Sequence, residues 1–144
     1  MSSAPTLAPD AAMVLGIAST ALPFARTPDA EAERWLRVLR LHGRVGVALQ
    51  ALGVSEVSLM AEEGEATGGA GESREPQRRD AVTRIAEDAA GIASRRGAPG
   101  VATTDLLIAV MRVYGPAFDR VLRAHGTDRA EVLARLGVEM PADA

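Results

Sequence analysis

The stretch that most constrains this chain is TTDLLIAVMRVYGPAFDRVLRAHG, Thr103 to Gly126. Two apolar runs flank a Gly-Pro joint, with Leu106, Leu107, Val110 and Val113 before it and Phe118, Val121 and Leu122 after it, each set at the spacing of one helix face. A glycine readily ends a helix, and proline's fixed φ and missing N–H suit a first helical residue, so Gly115 and Pro116 read as a stop and a start. Thr103 reads as the cap of the first run, and Gly126 as the stop of the second. Beyond it, Asp128 and Glu131 have the spacing of a capping box for a last helix bearing Val132 and Leu133.

The same grammar extends in both directions. RRDAVTRIAEDAAGIASRRG, Arg78 to Gly97, places Val82, Ile85, Ala89, Ile92 and Ala93 on one face and offers Gly97 as its end. Nearer the start, Val14, Ile17, Ala18 and Ala21 mark a helix that Pro23 should end, and Thr27-Pro28 opens another carrying Trp35, Leu36, Val38 and Leu39 as far as Gly43. A third carries Val45, Ala48, Leu49 and Leu52 up to Gly53, and Ser55 opens a short fourth. Between these halves, EEGEATGGAGESREPQ has no large apolar side chain to offset the entropy of ordering and reads as a linker over residues 61–77.

Composition agrees with helices. The chain has 144 residues, 47% of them apolar but only 3% aromatic, so a core must come from Ala, Leu, Val and Ile. Such residues suit close-packed helices better than strands, which favour β-branched and aromatic side chains. Without cysteine there are no disulfides, thiolate metal sites or thiol nucleophiles. No apolar run approaches the roughly 18 residues of a membrane span and no signal peptide is evident, so the expected location is the cytoplasm. The net charge of −3, with no dense arginine cluster, gives no nucleic-acid footprint. All 16 basic residues are arginine, as codon usage in a GC-rich genome would produce.

The two halves align when VGVALQALGVS, Val45 to Ser55, is set against FDRVLRAHGTD, Phe118 to Asp128, which brings Trp35-Leu36 opposite Leu106-Leu107. The predicted fold is all-α. It is one domain over 1–144, a duplicated four-helix repeat (about 8–60 and about 78–138) forming a pseudo-twofold bundle of about eight helices.

A helix opening TTDLLIAV, a glycine turn, then AFDRVLRAHGTD and a short last helix resemble the repeat in the N-terminal domain of Clp-type AAA+ unfoldases. That family reads Thr-Glu-His-Leu-Leu, a glycine turn, then Val-Leu and a Gly-Val-Asp stop, twice over a similar length. The resemblance spans essentially the whole chain and rests on Gly97, Thr103, Leu106, Leu107, Val121, Leu122 and Gly126. It implies a non-catalytic module that binds a peptide, a protein or a natural product and acts in trans as modulator, adaptor or decoy of a Clp protease system. The partners implied are a Clp-type unfoldase, its adaptors or substrates, or a cyclic-peptide-like ligand. The chain has no GxxxxGK[ST] phosphate loop.

In family members that recognise phosphorylated arginine, the Glu of each motif helps to hold the guanidinium. Thr104 stands at that position in the second repeat and Glu33, in AERWL, is the first-repeat match, so one carboxylate of the pair is missing. Arg78 stands where the family carries an aromatic. Glu33, Arg34, Arg78, Thr103, Thr104 and Asp105 are therefore the candidate ligand-binding residues. The alternative reading is a small-molecule-binding accessory protein or enzyme on the same fold, which needs Glu33, Arg34, Thr104 and Asp105 to close a polar pocket.

No catalytic group, cofactor or metal site is expected. His42 and His125 lack a third ligand, and each precedes a glycine at a helix end, where an imidazole can cover terminal carbonyls; a packed, structural role suits His125. Trp35 reads as core, Arg95 and Arg96 as last-turn cations, and Glu87-Asp88 as outward-facing carboxylates about 100° apart on a helix rather than an acid/base dyad.

Overall fold

A computed structural model of the chain describes residues 6–22, 25, 27–54 and 71–138, with the side chains of 71–80 excepted. In chain order the elements are β1 (Thr6–Leu7), α1 (Pro9–Ala21), α2 (Pro28–Leu39), α3 (Gly43–Ala51), α4 (Gly71–Arg95), β2 (Gly100–Val101), α5 (Thr103–Tyr114), α6 (Pro116–Ala124) and α7 (Arg129–Leu136). The protein is mostly helical, as the apolar spacing predicts.

Helix α5 is the centre. Every residue from Thr103 to Met111 is buried, including its two threonines and Asp105. Helix α4 lies along it, α1, α2 and α3 also pack on it, α2 packs on α6, and α3 packs on α7. The fully buried large side chains are mainly aliphatic, with Trp35 and Phe118 as the aromatic exceptions, so the aromatic-poor composition is built into the core itself.

Local signals set the helix ends. Thr27 Oγ1 accepts from the Ala30 N–H at 3.0 Å, ahead of Pro28 in the first turn of α2. Asp128 Oδ1 accepts from the Glu131 N–H at 2.8 Å, while the Glu131 carboxylate takes the Thr127 hydroxyl at 2.6 Å rather than reaching back along the backbone. Gly115 has φ +54, closed to most side chains, and joins the end of α5 directly to Pro116 at the start of α6.

Three expectations are corrected. Thr103 does not cap α5: it is the first helical residue, behind Ala102, and the orphan N–H of Ala102 is taken by the Asp105 carboxylate at 2.9 Å. A carboxylate one turn into the helix reaches back more easily than the short hydroxyl reaches forward. Residues 71–77, read as linker, form the start of α4. Glu72, Arg74, Glu75 and Gln77 are straight-chain helix formers, and their propensity outweighs the one backbone bond lost at Pro76. Residues 61–70 of the linker and the helix expected from Ser55 lie outside the described residues.

The two-residue strands escaped the sequence reading because they are too short to show alternation. They pair in parallel, Thr6 opposite Gly100 and Leu7 opposite Val101, and the Ala8 N–H extends the ladder to the Val101 carbonyl at 2.9 Å. The ladder fixes the starts of α1 and α5 beside each other, since each helix follows its strand almost immediately.

Candidate functional site

The best-formed concavity that includes sequence-named residues is a groove of about 410 Å³ where the end of α4 meets the start of α5. From α4, Ile92 supplies floor and Arg95 and Arg96, one turn later on the same side, supply rim. From the first turns of α5, Thr104, Asp105 and Ile108 face it. Arg44, in the first turn of α3, and Val138, just past α7, complete the lining.

Each polar group here is held by a specific bond. The Asp105 side chain is 1% exposed, and its carboxylate accepts two N–H groups from Arg96, one from Nε at 2.9 Å and one from Nη2. That fork, a bidentate charge-assisted pair, also biases the Arg96 guanidinium further toward its protonated form. Arg44 Nη2 donates to the Leu136 carbonyl at 2.8 Å, covering an otherwise orphaned carbonyl at the end of α7. Val138 is drawn in by its own N–H, which donates to the Leu133 carbonyl at 3.1 Å. The result is an aliphatic floor beneath three guanidinium groups, with one carboxylate already neutralised.

The six residues singled out in the sequence do not meet at one place. Thr104 and Asp105 line the groove. Thr103 is packed against Gly43, so closely that a Cβ there would stand 2.7 Å from Thr103 Oγ1. Arg34 belongs to a smaller depression with Ala21, Arg37, Val38 and Leu41. The side chain of Arg78 lies outside the described residues.

Glu33 is buried against His125, whose Nε2 stands 3.1 Å from Oε2 and 3.3 Å from Oε1. Both side chains are almost wholly removed from solvent, 1% exposed for His125 and 3% for Glu33. His125 is thus the packed, structural histidine expected, a clasp between α2 and the end of α6. The pocket postulated for Glu33, Arg34, Thr104 and Asp105 is not formed, because Glu33 turns to α6 and Asp105 to α4.

Two other networks are structural. Trp35 is fully buried, and its Nε1 donates at 3.1 Å to the hydroxyl of Tyr114, which donates onward to Glu31 Oε1 at 2.8 Å. Burial, reinforced by the Glu31 carboxylate, pushes the Tyr114 phenol far above its ordinary range. Asp88 pairs with Arg112 at 3.2 Å, while Glu87 is exposed. On the surface, Arg120 forks onto Asp29 at 2.8 and 2.7 Å and holds that carboxyl below the usual range, chiefly through hydrogen bonding.

Sequence reasoning missed Arg44 and Val138, and it assigned Arg95 and Arg96 only to the helix dipole. The available signal was the spacing of Ile92, Arg95 and Arg96, which puts an apolar residue and two cations on one edge of a helix. Among the described residues there is no group of three or more His, Asp or Glu side chains placed to hold a metal ion, and no helix long and apolar enough to cross a membrane.

Fold and groove together define a small helical protein with an arginine-rimmed, aliphatic depression at a helix junction. Comparison with protein-family models, with curated proteins and with solved structures gives no match.

Proposed function

We propose that this chain is a non-catalytic binding module, organised like the N-terminal domain of Clp-type unfoldases, that acts in trans on a Clp protease system as modulator, adaptor or decoy. The observation that carries this reading is an internal duplication. Residues 37–43 read Arg-Val-Leu-Arg-Leu-His-Gly and residues 120–126 read Arg-Val-Leu-Arg-Ala-His-Gly, differing only at Leu41 against Ala124. Leu52-Gly53-Val54 likewise answers Leu136-Gly137-Val138.

This pairing sets α2 against α6 and α3 against α7, in place of the match of Val45–Ser55 to Phe118–Asp128. It leaves β1-α1 to match β2-α5. The packing supports it: α1 touches α5, α2 touches α6, α3 touches α7, and the sheet register puts equivalent positions, Thr6 with Gly100 and Leu7 with Val101, side by side. Contact between each element and its own counterpart is what a pseudo-twofold axis through the middle of the molecule produces. The unit inferred is strand followed by three helices, with α4 between the two copies.

Under this pairing the first-unit counterpart of Thr104 is Asp10 rather than Glu33. One of the two motif positions therefore keeps a carboxylate, at the exposed start of α1, while Glu33 is committed to His125. Proteins captured from native lysate by the tagged chain, with a charge-matched helical protein as control, test the function. Enrichment of an unfoldase, its adaptor or its substrates is expected. Their absence, together with no shift in melting temperature on adding cyclic peptides active on Clp machines, would overturn the proposal.

A further inference from the structure

We infer that the groove between α4 and α5 takes an acidic peptide segment presenting one large apolar side chain, the apolar group seated on the floor and flanking carboxylates on the arginine rim. This deepens the reading of the chain as a binding module and rests on it. The chain as a whole is acidic, at −3, yet the groove gathers Arg44, Arg95 and Arg96 around a single carboxylate that Arg96 already neutralises. The local field is therefore cationic on a protein whose overall sign is opposite, and low-dielectric walls focus such a field.

The floor narrows the chemistry further. Ile92, Ile108 and Val138 offer aliphatic surface and no aromatic face, so nothing in the groove can stack a nucleobase. A small inorganic anion would use the backbone donors of the α5 N-terminus, but Asp105 occupies that place and takes the Ala102 N–H. What fits is an amphiphile with its apolar part inside and its charge outside.

A fatty acid has one carboxylate, whereas the guanidinium groups come from two helices, Arg44 at the start of α3 and Arg95 and Arg96 at the end of α4. Serving both edges takes several carboxylates on one backbone, as in an acidic peptide. Arg44 and Arg96 each engage only part of their five-donor fork within the protein, Arg44 on Leu136 and Arg96 on Asp105, so both can bind a carboxylate without giving up those bonds. At about 410 Å³ the depression has room for a side chain or two, not for a whole helix face.

The test is fluorescence anisotropy on the full chain with a fluorescein-labelled peptide Glu-Asp-Leu-Phe-Asp-Glu, a lysine-for-acid counterpart, and an acidic version with Ser-Ser in place of Leu-Phe. Only the first is expected to bind, with affinity falling as salt rises. The double variant Arg44→Glu/Arg95→Glu should weaken binding about tenfold or more, and Arg123→Glu, on the exposed face of α6, should leave it unchanged. Circular dichroism checks that both variants fold. If the double variant does not, amide shifts of Thr104 and Ile108 in the wild-type protein decide the location.

Binding of the first peptide that survives in the folded double variant, or shifts only away from the groove, overturns the groove assignment and leaves the module reading standing. Equal binding of the lysine or Ser-Ser peptide overturns the ligand class. Binding of laurate with none of the peptides overturns the peptide in favour of a lipid. No binding at all overturns this inference, while capture of an unfoldase from lysate would still support the module.

Discussion

Replacing Tyr114 by Phe removes one hydroxyl and nothing else of the ring, and the structure sets what that costs. The hydroxyl is the acceptor for the indole N–H of Trp35, which is fully buried, and the donor to Glu31. Without it the indole N–H has no replacement partner within the core, and an unsatisfied buried donor costs about 1–3 kcal/mol. Glu31 is only half-buried and recovers most of its loss from water. The expected destabilisation is therefore about 2 kcal/mol, a large part of the ~5–15 kcal/mol that holds a domain of this kind together. Urea unfolding followed by circular dichroism measures it. In a Trp35→Phe background, where the donor is already gone, the same substitution should cost less than half as much. An equal cost in both backgrounds, or one below about 0.5 kcal/mol in the wild type, would refute the assignment of this bond as a buried, net-stabilising contact.

The same phenol predicts an alkaline limit. Its folded-state pKa is raised, so its contribution is intact below the unfolded value near 10 and declines above it by up to about 1.4 kcal/mol per pH unit; the absorbance of the single tyrosine should show no phenolate until the protein unfolds. Glu33→Ala strands His125 in the interior and should cost about 2–4 kcal/mol by urea unfolding, with part recovered in Glu33→Leu/His125→Leu; no recovery would mean the pair does more than satisfy itself. Two glycines should respond oppositely in thermal melts. Gly16→Ala, an exposed helical position with nothing within 4 Å of the new methyl, should gain about 0.5–1 kcal/mol. Gly46→Ala, whose methyl would stand 2.7 Å from the Arg40 carbonyl oxygen, should lose about 1–3 kcal/mol.

Much of the fold was legible because its signals act within one helical turn. Thr27, Asp128, Pro116 and Gly126 each act on backbone groups only a few residues away, and the structure places them as their chemistry dictates. The failures are also local in origin. Thr103 lost the capping role to Asp105, which competes for the same N–H, and the glycine- and glutamate-rich composition hid a helix start at Gly71 because composition does not register straight-chain propensity residue by residue. The repeat was visible in Arg37–Gly43 and Arg120–Gly126, but hydrophobic spacing alone cannot choose between pairings offset by one helix.

The candidate site stands differently. Thr104 and Asp105 were identified, whereas the groove also needs Arg44, Ile92, Arg96 and Val138, drawn from three other segments of the chain. Glu33 was named as a ligand group and turns out to be buried against a histidine 92 residues away. By itself, then, the sequence determined a helical chain, most of its caps and stops, and the make-up of its core, since these depend on backbone geometry and side-chain shape over a turn or two. Which carboxylates are spent inside the protein and which arginines are gathered at one rim was decided by the tertiary structure, because charge pairing and concavity depend on distances between helices, and those exist only once the helices have packed.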